Sequence, residues 1–386
     1  MAHAAAPPHD KAGATISADE IALYDRQIRL WGVHAQEKIR SAHILLISIR
    51  ALANEVAKNL VLAGIASITL ADHETVTEED LAAQFFVSDA DVGRNRAEAA
   101  APQLRKLNPR VKVNVIARDL QREHDVNFYA AYDIVIATDL DFNALSVLDS
   151  GARLANRPFY AAASHGFYGF LFADLGLHGH EFVVEREKSN RPTRIAPETS
   201  TRSVIGTSTK KENGKAIEMV TKREKYSPLL LANTAPLPPD MQNNMRKLRK
   251  VHPLLTCIRT LWQYQRDGLG TFPSHSHADL QLFTRLATEK HTELGLPADT
   301  LKAEFLRSFL QNLGSELAPV TAFLGGQLAQ DVINVLGKRE QPIQNLMLFD
   351  GEESVGPIYA LHPSAFSDEL VSAVPVLPAD AAVMVL

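Results

Sequence analysis

The residue best placed for chemistry is Asp72, which follows the apolar run Ser67–Ala71. A carboxylate at the end of the second strand of a Rossmann-like unit accepts ribose hydroxyls. The matching phosphate seat is the turn after the first strand, where glycines let backbone amides approach a pyrophosphate at a helix N-terminus. Here that turn reads Ser48-Ile49-Arg50-Ala51-Leu52-Ala53 and holds no glycine. Upstream, Arg26 and Arg29 lie three apart in YDRQIRLWG and would share a helix face. Cys257 is the one cysteine of the chain and stands between apolar residues in HPLLTCIRTLW, a setting that disfavours the thiolate. His275 and His277 have no third ligand nearby, so helix capping and surface solvation are expected there and no metal.

The chain around these residues has 386 positions, 46% hydrophobic and 22% charged, the balance of a soluble globular protein. A formal charge of −5 leaves no electrostatic footprint for nucleic acid. One cysteine excludes an intrachain disulfide and a cysteine-rich zinc cluster, and fits a reducing compartment, nucleus or cytoplasm. No apolar stretch reaches membrane-spanning length, so no membrane partner is expected.

In chain order, residues 1–16 form a polar, proline-broken leader, and Ser17 with Glu20 reads as a capping box. Residues 21–39 read as one amphipathic helix, packed on a sheet by Leu23, Ile28, Leu30 and Trp31. The apolar run from His43 to Ile49 is a strand, followed by a helix with Val56, Leu60 and Ala63 inward and Gly64 as a left-handed cap. Further strands at 67–71, 111–116, 132–137 and 158–163 alternate with helical sequence, which implies a Rossmann-like α/β fold with a mainly parallel sheet. Aromatic and valine-rich strands after Gly166 should be antiparallel. Residues 189–226 read as a mobile linker, its clusters Lys210-Lys211 and Lys222-Arg223 forming a solvated face. Residues 227–312 are a helical insertion, and an apolar helix at 318–336 carries Gly325-Gly326, which lets another element approach closely. The expected division is thus leader (1–16), first part of the α/β fold (17–188), linker (189–226), helical insertion (227–312), closing part (313–362) and tail (363–386).

Five stretches, YDRQIRLWG, NLVLAGI, DHETVTEEDLAAQF, VGRNRAEA and SELAPVTAFLGGQLAQDVI, resemble in wording and order the activating enzymes of ubiquitin and its relatives. The likeness covers about residues 21–351 and is nearest to the small, non-thiolating subunits of the SUMO-activating class. It implies an adenylation fold shared with bacterial molybdopterin- and thiamine-pathway adenylating proteins. Ser48, Ala51 and Ala53 stand where active members of that family have glycines, and Asp80 and Ala83 where they have asparagine and arginine. Arg96 replaces a lysine, and Leu140 replaces the asparagine after Asp139, the position of a magnesium-linked aspartate. The resemblance therefore implies a degenerate nucleotide pocket and a chain inactive by itself. ATP and Mg²⁺ would be bound by a larger catalytic subunit in an obligate heterodimer, which adenylates SUMO, carries the thioester cysteine and meets the conjugating enzyme. In this family the arginine of the YDRQ segment reaches the partner's ATP phosphates, which assigns that role to Arg26. Three other readings stay open: the equivalent subunit for a Nedd-type modifier, an autonomous homodimeric adenylating enzyme using Asp72 and Asp139, and a scaffold in which Arg26 has no chemical part.

Overall fold

The structure is a computed structural model that describes residues 17–363 other than 190, 192, 213, 269 and 275, so His275 and the leader lie outside the described residues. Helices α1 (Ala18–Trp31) and α2 (Val33–Arg40) lead into β1 (His43–Ile47), α3 (Ala51–Ala63) and β2 (Ser67–Ala71). Then come α4 (Arg96–Leu107), β3 (Lys112–Ile116), α5 (Val126–Ala130), β4 (Ile134–Thr138), α6 (Phe142–Leu154), β5 (Phe159–His165) and β6 (Tyr168–Asp174). Three strands follow, β7 (His180–Glu187), β8 (Arg202–Glu212) and β9 (Lys215–Glu224). The helices α7 (Leu229–Thr234), α8 (Pro239–Gln242), α9 (Met245–Leu248), α10 (Leu254–Asp267), α11 (His277–Glu293), α12 (Ala303–Asn312) and α13 (Ala318–Gly337) precede β10 (Leu346–Asp350) and β11 (Ile358–Tyr359).

The main sheet runs β11-β10-β6-β5-β4-β1-β2-β3. Its five strands from β5 to β3 are parallel, and β6 and β10 add antiparallel pairs. Because side chains alternate along a strand, each parallel strand feeds two cores. Ile44 and Leu46 of β1 pack with α3, α4 and α13, whereas Leu45 and Ile47 pack with α6 and α10 to α12 around Trp262, Phe283 and Phe309. The chain leaves β1 for β2 on one side and returns to β4 on the other, so the strand order reverses between β1 and β4. Ligands of open α/β sheets bind at the carboxyl ends of the strands beside such a reversal.

Two caps explain how α3 and α13 are placed. Gly64 ends α3 at φ 84°, and a Cβ there would lie 2.5 Å from the Tyr24 ring. Gly325 brings α13 onto α3, where an added Cβ would lie 2.5 Å from Glu55 Cβ; its neighbour Gly326 faces open space.

Two expectations need correction. Residues 189–226 are not a mobile linker: β8 and β9 form a hairpin that pairs with β7 in a second, three-stranded antiparallel sheet. The charges that suggested a solvated segment pair with one another, as in Arg202–Glu224, Lys210–Glu185, Lys222–Glu198 and Arg223–Glu181. Residues 21–39 are two helices, broken at Gly32 (φ 86°). Tyr24 is the buried residue of α1, while Leu23 and Leu30 face outward, because the tyrosine ring fills the space over Gly64 and its hydroxyl meets Asn108 at 2.8 Å.

Candidate functional site

A cleft of about 210 Å³ opens at the carboxyl ends of β1, β2, β4 and β5, where the strand order reverses. Ser48, Asp72, Asp139 and Leu140 line it, along with Arg50, Glu316, His165 and Trp262. Ser48 (φ 66°) and Asp139 (φ 51°) sit on either side of the reversal, both in the left-handed region that favours glycine. Ser48 is held there by its amide on the Ala71 carbonyl (2.8 Å) and by the Thr138 hydroxyl on its own carbonyl (2.8 Å). The turn thus keeps the backbone path of a glycine turn while carrying side chains into it.

The helix that follows shows what has taken the phosphate seat. Arg50 caps α3 without a side-chain hydrogen bond, and the first amide of the helix, Ala51, donates to Glu316 Oε1 at 3.0 Å. Arg50 Nε lies 3.7 Å from the same oxygen. A helix N-terminus attracts anions through its free amides and its dipole, and here the anion is a carboxylate of the chain itself. Glu316 arrives on the loop between α12 and α13, which is tied down by Gly166 N on Ser315 O (2.7 Å) and Gly314 N on His165 Nδ1 (3.4 Å).

The two acids of the nucleotide pattern are also engaged or buried. Asp72 accepts the Ile49 amide at 2.7 Å and the Glu74 amide at 2.9 Å, one on each oxygen. Burial pushes its carboxyl up, against those two hydrogen bonds. Asp139 accepts the Ser164 amide at 2.9 Å, and its buried Oδ2 has no hydrogen-bond partner among the described residues. Burial and the nearby Glu316 charge push Asp139 up to about 7. Glu316 is raised as well, by burial, while Arg50 and the Ala51 amide pull it down. Burial likewise lowers the lining imidazole of His165 to about 4, which keeps it neutral.

Asp80, Ala83 and Arg96 are not among the residues lining the cleft, and Ala51 and Ala53 are buried in the first turn of α3. Asp80 does not stand as an open negative charge: it accepts from Arg96 Nε (3.0 Å), the Thr77 amide (2.8 Å) and Gln84 Nε2 (2.7 Å). Arg96 spends its charge on Asp80 and Glu74 instead of facing the cleft. Arg26 is exposed on α1 and has no hydrogen bond or ion pair among the described residues, whereas Arg29 pairs with Asp25 at 2.9 Å. Tyr24 and Gln27 fix α1 against Gly64 and the Leu62 carbonyl at the C-terminal end of α3. The length of that helix, roughly 20 Å for its residues 51–63, separates this end from the cleft. Cys257 is fully buried in α10, and burial pushes its thiol well up.

Sequence reasoning missed Glu316 and Arg50. The motif holding Glu316 was visible, but its contact with Ala51 spans 265 positions and has no local signal. A second cluster, His252, Asp350 and Glu353, brings its ligand atoms within 4.8 Å. His252 Nδ1 accepts the Leu254 amide (3.3 Å), which leaves a protonated Nε2 facing Asp350 at 3.4 Å. That tautomer makes a hydrogen-bonded pair and offers no lone pair to a metal.

Comparison with known proteins supplies the context for this geometry. Residues 24–365 match the model of the ThiF family. The chain is 40% identical to the DNA damage tolerance protein RHC31 of Saccharomyces cerevisiae, over 87% of this chain and 95% of that one. It is 33% identical to the human SUMO-activating enzyme subunit 1, over 92% of this chain and 99% of that one. The subunit 1 of Xenopus tropicalis is 33% identical, with 91% and 99% covered. Among solved structures, a crystal structure of E. coli MccB with an MccA peptide aligns at a TM-score of 0.51 and 14% identity, covering 91% of this chain and 74% of that one, a likeness of fold.

Proposed function

This chain belongs to the ThiF family, among the SUMO-activating enzyme subunit 1 proteins, and we propose that it is the non-catalytic half of a heterodimer whose larger subunit performs the chemistry. The observation that carries this reading is the Glu316 carboxylate on the Ala51 amide: the phosphate seat of the chain's own turn is filled from within. A triphosphate does not fit there. It would meet Glu316, Asp139 and Asp72 in a cleft of about 210 Å³, below the roughly 300–1,000 Å³ of ordinary ligand pockets. ATP and Mg²⁺ accordingly belong to the partner.

Arg26 is the contribution of this chain to the reaction. Adenylation joins the C-terminal carboxylate of the modifier to the α-phosphate of ATP and expels pyrophosphate. A guanidinium placed against the phosphates from outside offsets their charge as the leaving group departs. Arg26 is exposed, carries no ion pair that would hold it back, and stands a helix length from its own cleft, so its use lies in trans. Thioester formation and delivery to the conjugating enzyme fall to the larger subunit, since Cys257 is buried. The proposal includes a nuclear or cytoplasmic location. Lys210, Lys222 and Arg223 do not support it as an import signal, because each is ion-paired on the second sheet. Among the described residues no helix is long and apolar enough to cross a membrane.

The test is Arg26→Ala in the reconstituted heterodimer, read by ATP–pyrophosphate exchange in the presence of SUMO. The expected result is a fall of at least about tenfold with assembly intact, the scale of losing one charge-stabilising group. An unchanged rate would favour the scaffold reading. Micromolar ATP affinity for the isolated chain would instead favour an autonomous adenylating enzyme.

A further inference from the structure

Helix α1 turns toward solvent a face that its own fold does not use. Tyr24 is its buried residue, and Leu23, Arg26 and Leu30 follow one another at spacings of three and four, along one side of the helix. Leu23 is 57% exposed and Leu30 is 79% exposed. Leu62, itself 43% exposed, lies alongside, since Gln27 Nε2 donates to the Leu62 carbonyl at 3.3 Å. Large apolar side chains gathered in this way mark an interaction surface.

The helix presents them from a fixed position. Ser17 and Glu20 form a reciprocal capping box, Glu20 Oε1 lies 3.4 Å from Arg40 Nε, and Asn108 Nδ2 donates to the Tyr24 hydroxyl at 2.8 Å. An anchored helix with outward residues at such spacing is suited to lying in an apolar groove of another protein. Between its leucines stands the unpaired guanidinium of Arg26, so the complementary surface is apolar and holds an anion at its centre. A second copy of this chain offers only the cleft carboxylates, already engaged by Arg50 and by backbone amides. A subunit holding a triphosphate offers uncompensated phosphates.

We propose that Leu23 and Leu30, with Leu62 beside them, are the anchors on which the larger subunit docks, and that this docking registers Arg26 against the partner's phosphates. The identity of the occupant rests on the reading of Arg26 as acting in trans; the docking surface itself rests on the exposure and spacing of the leucines. Anchoring and chemistry are thereby divided among neighbouring residues of one helix.

The experiment measures the heterodimer dissociation constant for the full chain carrying Leu23→Asp with Leu30→Asp, and separately Leu30→Ala, beside Arg26→Ala. Both leucines are exposed, so the unfolding midpoint of each variant should match that of the parent chain. The double variant should weaken assembly at least tenfold and Leu30→Ala by less, with exchange activity restored when the subunits are raised above the new dissociation constant. Arg26→Ala should assemble normally and exchange slowly. Unchanged assembly of the leucine variants overturns the docking surface, whatever Arg26→Ala does. Weakened assembly together with full exchange by Arg26→Ala leaves the surface standing and removes the in-trans arginine. Self-association of the isolated parent chain that the double aspartate variant abolishes would make a second copy the occupant, and overturns the proposal.

Discussion

The Glu316 carboxylate accepts the Ala51 amide at 3.0 Å, joining the loop before α13 to the first turn of α3. An anion-binding element has become an internal joint. The same helix dipole and free amide that would receive a phosphate now hold two distant parts of the chain together. Arg50 and the raised, buried Asp139 complete the arrangement.

Removing that joint should loosen the chain and free the seat. Glu316→Ala leaves the Ala51 amide and Arg50 without their acceptor, which costs about 1–3 kcal/mol by the penalty for an orphaned buried group. Inorganic pyrophosphate at millimolar concentration should then raise the unfolding midpoint of the variant and leave that of the parent chain unmoved. Equal stabilisation of both would show that Glu316 does not close the seat.

Asp139 gives a pH dependence with a definite sign. Its folded pKa, about 7, lies above the model carboxylate value of 3.8. Between those values the unfolded chain has released the proton that the folded chain retains, so rising pH lowers stability across that window. Below pH 4 both states are protonated and the effect vanishes. Asp139→Asn should match the parent chain at pH 4 and melt several degrees higher at pH 8, with each kcal/mol worth about 2–4 °C. Thermal melts at the two pH values check this, and a variant that is less stable at pH 8 than at pH 4 by the parent's margin contradicts it.

How much of this could be read beforehand depended on the range of the interactions. The parallel strands were legible because apolar runs such as His43–Ile47 and Ile134–Thr138 are buried on both faces and need no partner to be recognised. Asp72, Asp139 and Leu140 fell at one cleft because strand ends determine where those residues go. The β8–β9 hairpin was missed although Asn213-Gly214 is a strong hairpin signal. Its lysines and glutamates pair across strands, a neutralisation that composition cannot show. Leu23 and Leu30 were placed inward because amphipathic periodicity reports a stripe and not which neighbour covers it. Asp80 looked like a repulsive charge until Arg96 was found against it.

Gly325 should be intolerant of even one methyl group. An added Cβ would stand 2.5 Å from Glu55 Cβ and 3.2 Å from the Val56 amide nitrogen, which is backbone and cannot step aside. Gly325→Ala should therefore lower the free energy of unfolding by about 1–3 kcal/mol, the usual range for overpacking. Gly326→Ala is the internal control, since nothing lies within 4 Å of its Cβ position. Denaturant titration of the two variants decides; equal stability would mean that α13 and α3 have room to separate.

Cys257 tests whether any thioester chemistry resides in this chain. It is fully buried in α10, and burial alone pushes its thiol well above the ordinary range, which suppresses the thiolate that a nucleophile requires. Cys257→Ala is a better probe than Cys257→Ser, because an unpartnered hydroxyl in an apolar core adds a penalty of about 1–3 kcal/mol that would confuse stability with chemistry. In the reconstituted heterodimer Cys257→Ala should form the modifier thioester at the parental rate, and the native chain should resist alkylation until it is unfolded. Loss of thioester with assembly and unfolding midpoint unchanged would return the nucleophile to this subunit, and with it the division of labour between a positioning half and a catalytic half would fall.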